Sequence, residues 1–402
     1  MRRVAITGLG VVSALGNNVR EFWDNLSHGV SGIAPIRQVD CSRMKFGNGA
    51  EVKNFDPANH FDPSKLALLD RFAQFALVAA REAIRDSGIE FDAETKRRTA
   101  IVTGSSLGGQ STQDEQFVEI YRNSRDRVHP FTIARTMANA GASQISMEFG
   151  ITGPVLNIST ACSSSNHAIG NALWMIRNGQ ADVAITGGSE CPFSYGLLKG
   201  WESVRVVSPD TCRPFSKNRS GMILGEGGAM LVLEDFEHAQ ARGAKVYAGV
   251  AGVGMSSDAG HIMAPSADGA AAAILRTIED AGIPADAIGY INAHGTATPA
   301  NDSVETHAIR KALGNRADKL AVSSTKSMHG HALGAAGAIE AVATVLAIKN
   351  GVIPPTANYD ERDPECDLDY VPNIARKLAV EYALSNSFAF GGLNAVLVFR
   401  AL

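Results

Sequence analysis

The residue best placed to do chemistry in this chain is a cysteine between two different periodic patterns. Cys162 lies in the run Asn157-Ile158-Ser159-Thr160-Ala161-Cys162-Ser163-Ser164-Ser165-Asn166-His167. Ahead of it, Val155-Leu156-Asn157-Ile158 has the β-branched, apolar character of a buried strand. Behind it, Ile169, Leu173, Trp174 and Ile176 recur at helical spacing until Asn178-Gly179. Cys162 thus falls where a strand hands over to a helix. Unpaired N–H groups and the positive end of the helix dipole favour a thiolate there. That placement suits a covalent nucleophile. A small apolar residue tucked under a helix is the commoner fate of a buried cysteine, so only the partners of Cys162 separate the two readings.

Three downstream segments supply candidate partners. Asn292-Ala293-His294-Gly295-Thr296-Ala297-Thr298-Pro299 presents a histidine at the end of an apolar strand. Ser323-Ser324-Thr325-Lys326-Ser327-Met328-His329-Gly330-His331 precedes a helix of small residues that can pack closely. Asn386-Ser387-Phe388-Ala389-Phe390-Gly391-Gly392-Leu393-Asn394 ends a strand in an aromatic–glycine loop. Each alone has an ordinary explanation: a hydrogen-bonded histidine, a surface lysine, two phenylalanines alternating along a strand. A metal pair at His329 and His331 ranks low, because no carboxylate or cysteine lies at ligand spacing. Taken together, a cysteine, two histidines, a lysine and a Gly-Gly loop are much harder to dismiss.

The elements that must position these residues alternate. Strand-like runs cover Thr99–Gly104, Val155–Ser159, Ala181–Gly187, Tyr247–Gly254, Gly289–Asn292, Lys319–Ser323, Tyr382–Asn386 and Asn394–Phe399. Helical patterns cover Lys65–Ser87, Ile133–Phe149, Cys162–Arg177, Gly269–Ala281, Asp302–Leu313 and Leu333–Lys349. The alternation predicts an α/β fold with helices covering sheets. The chain also echoes itself. Asp86-Ser87-Gly88-Ile89 precedes the strand at Thr99, as Asp280-Ala281-Gly282-Ile283 precedes the strand at Gly289. Ile158-Ser159-Thr160 leads into a helix closed by Asn178-Gly179, as Ser323-Ser324-Thr325 leads into one closed by Asn350-Gly351. The repeated order predicts two duplicated halves, 1–245 and 246–402. Packed together, they would bring Cys162 and the Lys326–His331 loop to one junction.

Composition sets outer bounds. The chain has 402 residues, 45% hydrophobic and 19% charged, with a net charge of −4, so no global basic field calls for nucleic acid. Five cysteines without CxxC spacing argue against a disulfide framework or zinc site and fit a reducing cytoplasm. Met1-Arg2-Arg3 followed by an apolar stretch superficially resembles a signal peptide. Thr7, Gly8 and Gly10 interrupt that stretch, and a first core strand from Arg3 to Thr7 is the better reading. No apolar run is long enough to be read as a membrane span.

At this point the motifs match a family. The chain resembles the β-ketoacyl-[acyl carrier protein] synthases, in their elongating, KAS II-like branch of the thiolase superfamily. The resemblance runs nearly end to end, from Val4-Ala5-Ile6-Thr7-Gly8-Leu9-Gly10 to Asn394. It passes through Thr160-Ala161-Cys162-Ser163-Ser164, Arg213-Pro214-Phe215, Leu224-Gly225-Glu226-Gly227, His294-Gly295-Thr296, Lys326-Ser327-Met328 and Gly391-Gly392. It implies a five-layer αβαβα fold and a decarboxylative condensation of an acyl thioester with malonyl-carrier. Cys162 would carry the acyl chain. The amides of Cys162 and Phe390 would form an oxyanion hole, and His294 and His331 would stabilise the enolate. Lys326 would hold His331 or bias the local charge. Thr296 and Thr298 match positions holding the phosphopantetheine arm; Leu107, Trp201 and Phe388 match the substrate side, and Phe390 the gate. Asn292, Glu305, Glu340, Ser385 and Asn394 match a set that surrounds a buried monovalent cation or water in some relatives. No redox or organic cofactor is implied.

The resemblance also implies partners: an acidic acyl carrier protein, and a dimer, homodimeric or paired with a chain-length partner. Lys65, Arg71, Arg122, Arg125 and Arg127 are candidates for a basic rim that receives the carrier. Asn139, with the 131–150 helix, would lie near the dimer interface. The departures are specific. His329 stands where the family usually has Thr, Ala389 where it has Gly, Leu393 where it has Thr, and Trp201 where relatives carry Phe. The Leu198-Lys199-Gly200-Trp201-Glu202 run with Ala389 is more similar to specialised synthases of the nodulation protein E type. The rivals each lack something. A thiolase needs a second active-site cysteine near the C-terminus, whereas Cys366 lies outside any Gly-rich loop. Starter-type synthases carry Asn in place of His331. A cysteine hydrolase does not require a lysine and two histidines. A non-catalytic chain-length partner has lost the nucleophile.

Overall fold

A computed structural model describes residues 1–402. Its apolar runs pair into one mixed, ten-stranded sheet. The strands are β1 (Val4–Ser13), β2 (Thr99–Gly104), β3 (Val155–Ile158), β4 (Val183–Glu190) and β5 (Gly227–Asp235), then β6 (Ala248–Ser257), β7 (Ile288–Asn292), β8 (Ala321–Ser323), β9 (Tyr382–Ala389) and β10 (Leu393–Arg400). Their spatial order is β8-β7-β9-β10-β6-β1-β5-β4-β2-β3. From the middle outward, each half therefore places its first, fifth, fourth, second and third strands in turn. In each half the second strand runs parallel to the third and fourth, and the fifth runs antiparallel to its neighbours. The halves meet along β1 and β6 through just Ala5–Gly249 and Ile6–Ala248. This is the duplication that the sequence echoes predict.

The two halves of the sheet form two β layers, and helices make three more. In chain order, those that matter here are α1 (Arg71–Ser87), α2 (Gln110–Tyr121), α3 (Ala140–Phe149), α4 (Ser164–Arg177), α5 (Tyr195–Val204), α6 (Ala267–Ala281), α7 (Pro299–Leu313), α8 (Lys326–His329) and α9 (Ala336–Asn350). α1 and α3 cover the outer face of the first half through Phe72, Phe75, Leu77 and Ile145. α6 and α7 cover the second through Ile274, Ile278 and Ile309. α4 and α9 lie between the halves and bury Ile169, Leu173, Ile339 and Val342 in a shared core. The layers are thus αβαβα. α9 has no polar face, as expected of a helix covered on all sides. The stretch Leu333–Asn350 has a mean hydropathy of 1.3, apolar enough to cross a membrane by composition, yet 89% of it is buried inside the protein. Its contact with α4 requires Gly337, where a Cβ would sit 2.4 Å from Asn166 Oδ1.

The structure corrects several local expectations. β1 runs on to Ser13, beyond the expected end at Thr7. β5 was not anticipated; its Gly227-Gly228 opening looks like a turn, yet it lies buried between β1 and β4. The expected helix from Lys65 to Ser87 is broken, because Asp70 leaves the helical path and caps α1, accepting from the Phe72 amide at 3.2 Å. The expected helix 133–149 likewise divides into Thr132–Thr136 and α3.

Leu173 is fully buried between the halves, whereas Leu275 on α6 is 48% exposed. Leu173→Ala should cost about 2–5 kcal/mol, and Leu275→Ala well under about 1 kcal/mol, in denaturant unfolding.

Candidate active site

The strand-to-helix handover is a strained elbow. Ala161, one residue before the cysteine, adopts φ +50°, an unusual left-handed conformation for a residue with a Cβ. Serine hydroxyls tie the turn down: Ser164 Oγ donates to the Ala161 carbonyl at 2.6 Å, and Ser163 Oγ to the Thr160 carbonyl at 2.9 Å. Cys162 thereby sits at the N-terminal end of α4, under an apolar cluster that includes Leu198, Met222, Leu224, Leu333 and Ala389. Leu107 and Trp201 pack against the same cluster.

Burial outweighs the helix terminus in setting the state of the sulfur. Desolvation raises the Cys162 thiol, to about 12 even after the Lys326 ammonium and the backbone N–H of Phe390 pull it down. Desolvation thus opposes the thiolate that the helix terminus favours. The amides of both Phe390 and Cys162 bear on the sulfur. These are the two donors expected of an oxyanion hole.

The second half delivers the histidines. His294 follows β7, and Glu305 on α7 holds its loop by accepting from the His294 amide at 2.8 Å and the Gly295 amide at 2.7 Å. His331 follows α8; its N–H donates to the Ile223 carbonyl at 2.7 Å, and its carbonyl accepts from Gly225 at 2.9 Å. The two imidazoles lie 5.4 Å apart, nearly perpendicular at 85°. Both pKa values fall well below the usual 6.5, first through burial and then through the Lys326 ammonium. Both rings are thus neutral and able to donate one N–H each. Lys326 itself is fully buried and pairs with Glu340 of α9.

Cys162, His294 and His331 line one cavity of about 220 Å³ together with Trp201, Thr296, Thr298, Phe388 and Phe390. Thr296 and Thr298 hydrogen-bond to each other at 3.0 Å on its polar side. Trp201 and Phe390 face each other on its apolar side, with ring centroids 6.1 Å apart. Leu107 lines the apolar cluster rather than this cavity.

Other expected residues fall differently. Glu305 accepts from the His294 and Gly295 amides and from Asn386 at 3.0 Å, and so ties down the loop that carries His294. Asn394 lies apart, donating to Asp258 at 2.7 Å and Ser256 at 3.2 Å; Asn386 occupies the place beside Glu305. Asn292 donates to the Glu340 carbonyl at 3.3 Å. The unpaired buried oxygens left over are Glu340 Oε2, Ser385 Oγ and Asn386 Oδ1, with Ser387 and Asn166 nearby in the chain fold. Of the expected basic rim, Arg71 is consumed by buried Glu226 at 2.7 Å and Lys65 by Gln144 at 2.8 Å; Arg122, Arg125 and Arg127 are exposed. Glu190 was missed. This buried carboxylate at the end of β4 accepts from Ser105, from the Ser106 and Leu107 amides and from Gly334, and so joins the loop carrying Leu107 to the start of α9. Its only sequence signal is a strand-end carboxylate after Gly187-Gly188.

Known proteins share this fold and a substantial part of the sequence. The β-ketoacyl synthase N-terminal domain matches residues 1–239, and its C-terminal domain matches residues 247–360. Nodulation protein E of Rhizobium sp. (strain N33) is 45% identical over 399 residues, 99% of each chain. The 3-oxoacyl-[acyl-carrier-protein] synthase 2 of Coxiella burnetii is 43% identical over 405 residues, covering 99% of this chain and 98% of that one. Among solved structures, the ishigamide ketosynthase/chain length factor aligns with a TM-score of 0.95 at 37% identity, covering 100% of this chain and 99% of that one. A type II polyketide synthase acyl-carrier protein in complex with its ketosynthase, bound to the hexaketide, aligns at 0.91 and 33%, with the same coverage. The chain belongs to the β-ketoacyl synthase family. It is an acyltransferase of the chain-extending kind, making a β-ketoacyl thioester by Claisen condensation with malonyl-carrier.

Because burial and Lys326 hold both imidazoles neutral below pH 6.5, acid should not protonate them in the ordinary histidine range. The rate of malonyl decarboxylation against pH should show no limb near 6.5, falling only at lower pH. A limb with a midpoint at 6.5 would place the histidines in water.

Proposed function

We propose that Cys162 is the acyl-carrying nucleophile and that His294 and His331 activate malonyl-carrier in the same cavity. The observation behind this reading is the convergence of one sulfur, two amide donors and two neutral imidazoles on a single cleft. In the first step the Cys162 sulfur attacks the acyl thioester. The Cys162 and Phe390 amides stabilise the tetrahedral oxyanion, and the carrier thiol leaves with the sulfur's proton. In the second step the bond to the malonyl carboxylate breaks, CO₂ departs, and the electron pair moves onto the thioester oxygen as an enolate. His294 and His331 each donate an N–H to that oxygen; one such donor is worth roughly 3 kcal/mol in comparable sites. The enolate carbon then attacks acyl-Cys162, the C–S bond breaks, and the departing thiolate takes a proton from solvent. Thr296 and Thr298 receive the phosphopantetheine arm, and Trp201, Phe388 and Leu107 shape the acyl side. No organic or redox cofactor takes part. The free oxygens of Glu340, Ser385 and Asn386 fit a monovalent cation, which would supply charge balance between the halves.

The carrier is the partner that the cleft requires, and its acidic surface calls for free cations at the mouth. Arg43, Lys45 and Arg205 are exposed and form no ion pair. They gather around α5, where Lys199 Nζ reaches the Arg43 carbonyl at 2.5 Å and the Lys45 amide reaches Glu202 at 2.5 Å. Val206, next to Arg205, lines the cavity. The dimer partner, a second chain of this fold, would add to the open edge of β3. Leu156 is 45% exposed there, and Tyr121, Ile133, Met137 and Met147 extend the apolar face. A chain-length partner of the same fold would use the same edge. The five free cysteines suit a cytoplasmic setting.

The reading of a non-catalytic partner is disfavoured by the intact nucleophile and cavity. Intact-mass measurements after incubation with malonyl-carrier and a panel of acyl-carriers should find the acyl group on Cys162. Cys162→Gln should abolish condensation while decarboxylation continues, and His331→Ala should still acylate but lose decarboxylation by about 100-fold. Condensation by Cys162→Gln would refute the assignment.

Lys45→Glu with Arg205→Glu should raise KM for acyl-carrier roughly ten-fold at low salt, with little change for an acyl pantetheine thioester. Equal effects on both substrates would remove the docking role.

A further inference from the structure

One buried residue beside the catalytic groups takes no part in the reaction as drawn. His329 lies between Lys326 and His331 and is 1% exposed. Its Nδ1 is 2.8 Å from the Gly330 carbonyl oxygen, and its Nε2 is 2.9 Å from Thr325 Oγ1. A carbonyl can only accept, so Nδ1 carries the hydrogen and donates. Nε2 is then the acceptor, and the Thr325 hydroxyl donates to it. Burial holds the ring neutral, with its pKa pushed down to about 3, so this arrangement does not change across ordinary pH.

The two bonds reach opposite ends of the catalytic turn. Thr325 immediately precedes α8, whose first residue is Lys326. The Gly330 carbonyl belongs to the peptide that joins Gly330 to His331. Gly330 adopts φ +69°, and a Cβ there would meet Ala50 Cβ at 2.8 Å. Glycine permits that turn but does not itself fix the peptide plane beyond it. Backbone bonds to Ile223 and Gly225 hold the main chain of His331 from the other side, and Phe22 packs at 6.5 Å from the His329 ring. A threonine hydroxyl is a single short group and cannot span from Thr325 to the Gly330 carbonyl.

We propose that His329 is a positioning residue: its imidazole braces the turn from Thr325 to Gly330 and so sets the peptide that aims His331 into the cavity beside His294. This rests on the reading in which His331 donates to the enolate oxygen. The brace acts on decarboxylation and not on acyl transfer to Cys162, which uses the amides of Cys162 and Phe390.

The test compares His329→Ala, His329→Asn and His329→Gln. Asparagine places an amide N–H near the Nδ1 position, whereas glutamine reaches toward the Nε2 position and leaves the Gly330 carbonyl unbonded. Malonyl-carrier decarboxylation is measured in the Cys162→Gln background, and Cys162 acylation by intact mass in its presence. We expect Ala and Gln to lower decarboxylation kcat about ten-fold with KM unchanged, Asn to stay within about three-fold, and acylation to be unaffected in all. Equal losses in both half-reactions, or Asn and Gln behaving alike, would overturn the proposal. The Asn–Gln comparison decides it even where the Ala variant does not fold. A Cys162→Gln parent that does not decarboxylate overturns the function assigned to His331, and the brace with it; a parent that decarboxylates with unresponsive His329 variants overturns the brace alone.

Discussion

The buried pair Lys326–Glu340 is the interaction on which the site depends. Both side chains are fully buried at the seam between the halves. Moving two charges out of water is costly, and their mutual attraction offsets that cost only while both remain. Burial pushes the Glu340 carboxyl up while Lys326 pulls it back, so the lysine stabilises the ion that anchors it. The same ammonium depresses the His294 and His331 imidazoles and draws the Cys162 thiol downward. One charge therefore biases the proposed nucleophile and both proposed enolate donors, and α9 carries the carboxylate that keeps it in place. Removing either partner would leave an uncompensated charge in the core, which is why the pair serves as both structure and electrostatics.

Duplication explains how such a site arises. Each half ends its third strand in a turn that feeds a central helix: β3 into α4 at Cys162, and β8 through α8 into α9 at Lys326 and His331. Since α4 and α9 pack together between the sheets, their starting turns are neighbours. The crossing is tight, as Gly337 against Asn166 shows. The cleft thus lies where the two halves present equivalent ends, with the loops after β7 and β9 closing its sides.

Much of this was legible in the chain. Cys162 could be placed at a strand–helix junction because the period changes from strand to helix within a few residues. The paired echoes located the Lys326–His331 loop opposite it. What failed has physical causes. The helix terminus favours a thiolate at Cys162, and the desolvation that opposes it appears only with tertiary packing. β5 begins with two glycines, and its burial depends on β1 and β4, which are distant in sequence. The bonds from Glu305 to the His294 and Gly295 amides have no sequence signal, because they depend on how α7 packs against the loop after β7. Lys65 and Arg71 look like surface cations until Gln144 and Glu226 are found beside them.

The departures from the family pattern do not scatter through the chain. Trp201 faces Phe390 across the cavity, and its indole N–H has no partner. Ala389 is buried in the cluster over Cys162, and Leu393 packs against it. His329 braces the turn behind His331. Three of the four changes add apolar bulk on the acyl side, at the gate and along its wall. None touches Cys162, His294, Lys326 or His331 by substitution. Larger groups around a fixed reaction centre alter which chains can enter and how readily the gate moves, since a packed interior responds to even one added methylene. In the proposed reaction the bond-forming groups, with the buried charge behind them, are unchanged, while the differences gather on the wall formed by Trp201, Ala389, Phe390 and Leu393, where the acyl chain would lie.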